Sequence, residues 1–126
     1  MLGAKRVGNR ILIVEDDTVL RKHLTRLFVR EGYAVSTAAT HAAAREHLAD
    51  TAFDVLLLDV KLPDGDGLAL LGELQPERRP GLAVVMSAFS TAAHERDAER
   101  LNVCRLLRKP LDLMQLLDTV RSKLPD

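Results

Sequence analysis

The chain has 126 residues, 47% of them hydrophobic, and its 18 Lys plus Arg against 18 Asp plus Glu leave a formal net charge of +0. That length suits one domain, and the charge balance offers no overall positive field, so direct nucleic-acid binding by this segment is not expected. The lone cysteine, Cys104, excludes an internal disulfide, and with no secretory leader and no apolar run near the roughly 20 residues that cross a bilayer, a cytoplasmic location away from membranes is expected.

Residues 1–9 carry basic groups without an apolar stretch and are expected to form a flexible lead-in to one domain over residues 10–126. Arg10 to Val14 reads as a first strand. Asp17 or Thr18 can cap the next helix, in which Leu20, Leu24, Leu27 and Phe28 recur at helical spacing and Gly32 suits the position after the end. Tyr33 to Thr37 reads as a second strand, and Thr40 caps a second helix through Leu48. Phe53 to Leu58 reads as a third strand; its Val55-Leu56-Leu57-Leu58 run has no polar residue, the pattern of a parallel strand covered on both faces. Pro63, Gly65 and Gly67 then force a loop, and Asp66 and Gly67 open a third helix through Leu74.

Pro76 and Pro80 bracket a polar connection to a fourth strand, Leu82 to Met86. Ser90 or Thr91 can cap a fourth helix, Ala92 to Arg100, whose polar composition predicts weak anchoring. Val103 to Leu107 reads as a fifth strand. Asp112 caps the last helix, with Gln115 at the capping-box position and Leu113, Leu116, Leu117, Val120 and Leu124 facing the core. Met86 and Met114 are assigned to the core, Cys104 to small-residue packing, and His23, His41, His47 and His94 to surface or edge positions of helices away from clustered acids. Strand and helix alternate five times, which calls for an α/β fold: a single doubly wound domain with a parallel sheet and five helices divided between its two faces.

Strand ends carry the reactive groups. Glu15 and Asp16 follow strand one, Asp59 follows strand three, Ser87 follows strand four and Lys109 follows strand five. Ligands in open α/β sheets bind outside the carboxyl ends of strands, so these groups are placed to share one site. Crowded carboxylates repel unless a cation intervenes. Hard oxygen ligands on loops suit Mg2+, which commonly takes one or two carboxylates together with phosphate oxygens. Lys109 adds a compact positive charge for the same oxygens, and Asp59 is a candidate nucleophile that would form an acyl phosphate.

In this order and spacing the residues resemble the receiver domain of two-component response regulators, over about Arg10 to Leu124. The resemblance implies a five-stranded parallel sheet in the order 2-1-3-4-5. It implies that Asp59 is the phosphoacceptor, that Asp16 ligates Mg2+ directly and Glu15 through water, and that the backbone carbonyl of Lys61 is a further ligand. Ser87 matches the hydroxyl switch residue, with the small Ala88 beside the phosphoryl site, and Lys109 matches the family lysine, preceding a cis bond to Pro110. Implied partners are a sensor histidine kinase or phosphotransfer protein as donor and an output domain or downstream protein as target, with phosphorylation-linked dimers among the outcomes. Such a module is a switch and not an ordinary enzyme. Asp17 is read as a helix cap.

Three positions depart from the family pattern. Leu106 stands where an aromatic switch side chain is usual, so phosphorylation is expected to shift Ser87 while moving strand five less than in relatives. Lys61 places a charge two residues past the acceptor, and Phe89 an apolar ring two past Ser87; together they suggest a long-lived acyl phosphate. Two other readings compete. A binding-only pseudo-receiver would have little use for the retained Asp16, Asp59, Ser87 and Lys109. A haloacid-dehalogenase-type hydrolase needs a second Asp where Lys61 stands.

Overall fold

Unbroken apolar strands need cover on both faces, and the fold supplies it. The computed structural model describes residues 9–89 and 91–123. Its sheet strands are β1 (Arg10–Val14), β2 (Ala34–Ala38), β3 (Val55–Asp59), β4 (Leu82–Ser87) and β5 (Arg105–Arg108), and its helices α1 (Thr18–Arg30), α2 (His41–Asp50), α3 (Gly67–Glu73), α4 (Ala92–Arg100) and α5 (Leu113–Lys123). The sheet is parallel throughout, in the order β2-β1-β3-β4-β5.

Side chains alternate across a strand, so each strand feeds two cores. Leu12, Val14, Leu56, Leu58, Ala83 and Val85 point to one face, under Ala44, Leu48, Leu70, Leu71 and Ala98 of α2, α3 and α4. Ile11, Ile13, Val55, Leu57, Val84 and Met86 point to the other, under Leu24, Phe28, Leu116, Leu117 and Val120 of α1 and α5. The doubly wound expectation and the 2-1-3-4-5 order therefore hold. Each fully buried aliphatic side chain contributes roughly 1.5–3 kcal/mol.

The helix ends follow the local chemistry. Asp17 is the α1 cap, accepting from the Val19 and Leu20 amides, and Gly32 takes φ 94° just past the α1 end. Thr40 caps α2, and Asp66 caps α3. Asp112 accepts from the Met114 and Gln115 amides at 3.0 and 3.1 Å. Within the polar connection a 3-10 turn forms over Pro76–Arg78, and the Arg78 guanidinium donates to the carbonyls of Leu48 and Ala49 at the end of α2. That is where a cation suits the helix dipole.

Several expectations need correction. Met114 is not core: it is 62% exposed. Thr119 is buried on the inner side of α5 instead, its hydroxyl satisfied by the Gln115 carbonyl at 2.9 Å. His41 is not a surface residue either; it is only 7% exposed, with Glu73 Oε2 at 3.2 Å from its Nε2. Strand β5 begins at Arg105 because the Val103 amide turns back to Ala98 and the Cys104 amide bonds Ala83 before the ladder starts. A two-residue hairpin in which Lys61–Leu62 pairs with Gly65–Asp66 sits between β3 and α3. Of the lead-in, Asn9 already accepts from the Ala34 amide; its other residues, the Ser90 alternative for the α4 cap and the Leu124 position of α5 lie outside the described residues.

Gly67 marks the tightest approach. A Cβ there would stand 2.1 Å from the Asp59 carbonyl oxygen, whereas at Gly72 in α3 the nearest atom is Leu101 Cδ2 at 3.8 Å. Gly67→Ala is expected to cost about 3 kcal/mol by overpacking against backbone. Gly72→Ala should gain about 0.4–1 kcal/mol by restricting the unfolded chain. Urea denaturation of both variants checks the pair, and similar effects at the two positions would contradict the close approach.

Candidate functional site

The chain leaves β1 toward β2 on one side and returns to β3 on the other, which opens a crevice at the carboxyl ends of β1 and β3. Register fixes what meets there. Val14 pairs with Leu58, so Glu15 and Asp59 emerge side by side. Asp59 pairs with Met86, one residue before Ser87. Ser87 pairs with Arg108, and the Lys109 amide donates to the Ser87 carbonyl at 2.9 Å. The Lys109–Pro110 bond is cis.

One ligand oxygen each from Glu15, Asp16 and Asp59 lie within 4.8 Å of one another. Lys109 reaches between two of them: its Nζ is 2.8 Å from Asp59 Oδ2 and 2.6 Å from Glu15 Oε1. Asp59 Oδ1 accepts from the Lys61 amide at 3.0 Å. Glu15 Oε2 accepts from the Asp17 amide, also at 3.0 Å. Arg21 of α1 donates to the Glu15 carbonyl at 2.8 Å and to the Asp16 carbonyl at 3.3 Å, pinning the turn that carries both acids. Ser87 is buried, and its hydroxyl oxygen accepts from the Phe89 amide at 3.0 Å. An open cleft of about 680 Å³ lies over the set, lined by Asp16, Asp59, Lys61, Ser87, Ala88 and Lys109 among others.

Burial governs the electrostatics. Glu15 is fully buried. That burial pushes its carboxyl above the ordinary carboxylate range; Lys109 and the Asp17 amide pull it back, and the Asp59 charge adds to the rise. Burial likewise lowers the Lys109 ammonium, but its close ion pairs with Asp59 and Glu15 outweigh that and leave it raised. Glu15 Oε1 lies against Lys109 without completing a well-directed hydrogen bond. A buried, under-satisfied carboxylate oxygen beside two further acids is a donor set that fits a hard divalent cation of the Mg2+ type.

The structure thus brings together Glu15, Asp16, Asp59, Ser87 and Lys109, with Ala88 in the cleft wall. The Asp17 carboxylate caps the helix and is not one of the cluster acids, while its amide holds Glu15. Lys61 contributes its amide, while its side chain is exposed and joins no ion pair among the described residues. Phe89 stands at the mouth, 83% exposed. Leu106 is half-buried and packs on the α2–α3–α4 side of the sheet. In sequence Arg21 reads only as a residue outside the apolar stripe of its helix, and the expectation that His94 lies away from clustered acids needs correction. His94 lines the cleft with its Nε2 3.8 Å from Asp66 Oδ2, and its ring nitrogen completes the Thr91 capping box. Only the i, i+3 spacing of Thr91 and His94 hinted at that role, because a His is not a usual box partner.

The sequence profile of the response regulator receiver domain matches residues 11–121. The chain belongs to that family. The TorCAD operon transcriptional regulatory protein TorR of Escherichia coli K12 is 32% identical over 116 residues, which are 92% of this chain and 50% of that protein. The chain therefore spans about half the length of TorR. Sporulation initiation phosphotransferase F of Bacillus subtilis is 28% identical, with 94% of this chain and 96% of that protein covered. Among solved structures, the non-phosphorylated HemR receiver domain from Leptospira biflexa superposes with a TM-score of 0.85 at 27% identity, covering 94% of this chain and 95% of that one. Receiver domains are signalling switches of two-component systems and not conventional enzymes, and the fold and acid cluster of this chain are of that kind.

Lys109 offsets the repulsion between Glu15 and Asp59. Lys109→Met is expected to cost the metal-free protein about 3 kcal/mol, the usual scale for removing one partner of a buried pair. Mg2+ at about 100 times its dissociation constant should stabilise the unsubstituted protein by ~2.7 kcal/mol, and the variant by more. Thermal denaturation with and without Mg2+ measures both, and an absence of any Mg2+-dependent rise would rule out a shared cation pocket.

Proposed function

We propose that this receiver domain is a phosphorylation-operated switch in which Asp59 accepts a phosphoryl group from a phosphohistidine. The donor is a sensor histidine kinase or a phosphotransfer protein, and the recipient of the signal is an output domain or a separate downstream protein. The observation that carries this reading is the convergence of Glu15, Asp16 and Asp59 within 4.8 Å, with Lys109 bonded to Asp59. An Asp59 carboxylate oxygen forms the new P–O bond while the P–N bond to the donor imidazole breaks, the bonding pair staying on nitrogen. Asp16, Asp59 and the Lys61 carbonyl would hold Mg2+, with Glu15 behind them. When bound, that ion neutralises phosphoryl oxygens.

The chain's own groups orient and stabilise. The Lys61 amide and the Lys109 ammonium each hold one Asp59 oxygen, which fixes the carboxylate plane. Lys109 is then placed to follow the charge onto the phosphoryl group. The Ser87 hydroxyl keeps its proton free to donate, since in this structure its oxygen accepts from Phe89. Turning that proton toward the acyl phosphate is the switching step, and small Ala88 leaves room for it. Among the described residues no helix is long and apolar enough to cross a membrane, and a cytoplasmic setting suits a kinase-fed module. Phosphorylation-linked dimerisation stays within the proposal.

Two experiments test this reading. Intact mass after treatment with acetyl phosphate and Mg2+ should rise by one phosphoryl group, and Asp59→Ala should abolish the gain; an unchanged adduct on the variant would move the acceptor elsewhere. Exposed Phe89 and Lys61 flank the cleft, where they shield the acyl phosphate from water. Replacing both with small polar residues should speed loss of the phosphoryl group several-fold, followed by the same mass measurement over time. Equal decay rates would remove the shielding role and leave Asp59 as acceptor.

A further inference from the structure

The segment joining β3 to α3 is bonded on two sides. Toward the cleft, the Lys61 amide donates to Asp59 Oδ1. On the far side, Asp64 Oδ1 accepts from the His41 amide at 2.7 Å and Asp64 Oδ2 from the Ala42 amide at 3.1 Å. The first turn of α2 thus takes part of its cap from another loop, beside the local cap in which Thr40 Oγ1 accepts from the Ala43 amide. A carboxylate suits a helix N-terminus, and these amide bonds hold the Asp64 carboxyl below its ordinary range. Gly65 lies against the His41 ring so closely that a Cβ would stand 2.5 Å from Nδ1. Beneath it, His41 Nε2 faces Glu73 Oε2 of α3, whose other oxygen takes Arg45 Nε at 3.0 Å.

Between those attachments the segment has little freedom. The Val60 amide bonds the Met86 carbonyl at 2.9 Å, and the Gly67 amide closes back on the Val60 carbonyl at 2.6 Å. Lys61 pairs with Asp66, and Leu62 pairs with Gly65 while burying its own side chain. A segment closed this tightly shifts as a body, because packed elements move between discrete arrangements and do not stretch. A displacement of Lys61 would therefore be passed through the hairpin to Asp64 and Gly65.

We propose that Asp64 clamps the acceptor loop to the N-terminus of α2, so that the α2–α3 face registers the occupancy of the acidic cleft. The clamp rests on the switch reading above and adds a route that bypasses Leu106. Asp64 is a positioning residue: it acts through the loop that presents the Lys61 backbone, and coupling of this kind is reciprocal. What the cleft does to α2, severing the clamp must do to the cleft.

Backbone NMR and Mg2+ titration of the full chain test it. On addition of Mg2+ and beryllofluoride as phosphoryl mimic, the His41 and Ala42 amides should shift with the same midpoint as Lys61 and Ser87. Asp64→Ala should erase the response at His41 and Ala42, retain it at Lys61, and weaken Mg2+ binding about fivefold, the low end of usual coupling. Asp64→Asn, with one acceptor oxygen left, should recover part of that affinity; recovery no better than alanine's would overturn the clamp. A cap that merely stabilises α2 would lower the melting temperature of Asp64→Ala with Mg2+ affinity unchanged and the His41 and Ala42 amides still, and that also overturns it. Lys61 and Ser87 responding without His41 and Ala42 removes the clamp alone. Silence at all four amides removes the switch reading and the clamp together.

Discussion

The Lys109 ammonium between Glu15 and Asp59 is the contact on which the site depends. Two carboxylates from adjacent strand tips, one of them fully buried, repel strongly where water is scarce. One ammonium set against the three acids of the cluster leaves two negative charges, the amount one divalent cation cancels. The protein thus folds with a charge imbalance at a defined place. Burial of Glu15 adds to this, because burial disfavours its charged carboxylate, a cost that a neighbouring cation offsets.

That arrangement is produced by strand register more than by any loop. Val14 faces Leu58 across the β1–β3 ladder, and the next residue on each strand is an acid. Side chains alternate with a period of two, so a slip of one residue would turn Asp59 into a helix-covered face and bring Leu58 to the crevice. The apolar runs on both faces penalise such a slip heavily, since every one of their side chains is enclosed. The same enclosure that stabilises the sheet therefore aims the acids. Arg21 and Asp17 refine the aim from α1, one through the carbonyls of Glu15 and Asp16 and the other through its amide to Glu15.

Much of this could be read before the structure, for a physical reason. Strand identity follows from unbroken apolar runs, and helix starts from Asp17, Thr40, Asp66 and Asp112, all local signals. Helix α4 forms over the expected Ala92–Arg100. What stayed hidden depends on partners distant in sequence. His41 looks like a surface residue until Gly65 and Glu73 close over it. Asp64 reads as a turn residue, because its work is to cap a helix 23 positions earlier. Periodicity gives α5 an apolar stripe but cannot say that Met114 stays exposed while Thr119, bonded to its own helix, is buried.

The two walls of the cleft differ in how firmly they are held, and this bears on how a signal leaves the site. On one wall, α4 buries only Ala98 of its own residues, and it meets the opposite rim through the 3.8 Å approach of His94 to Asp66. Elements with few buried contacts open at low free-energy cost. On the other wall, the β3–α3 loop is closed by short backbone bonds and pressed onto α2. A loosely held helix can be displaced cheaply, but it transmits little force to what lies behind it. A stiff loop moves less and carries its displacement intact to whatever it is bonded to. With a half-buried Leu106 in place of a large pivoting ring on β5, the stiff wall is the better conductor in this chain.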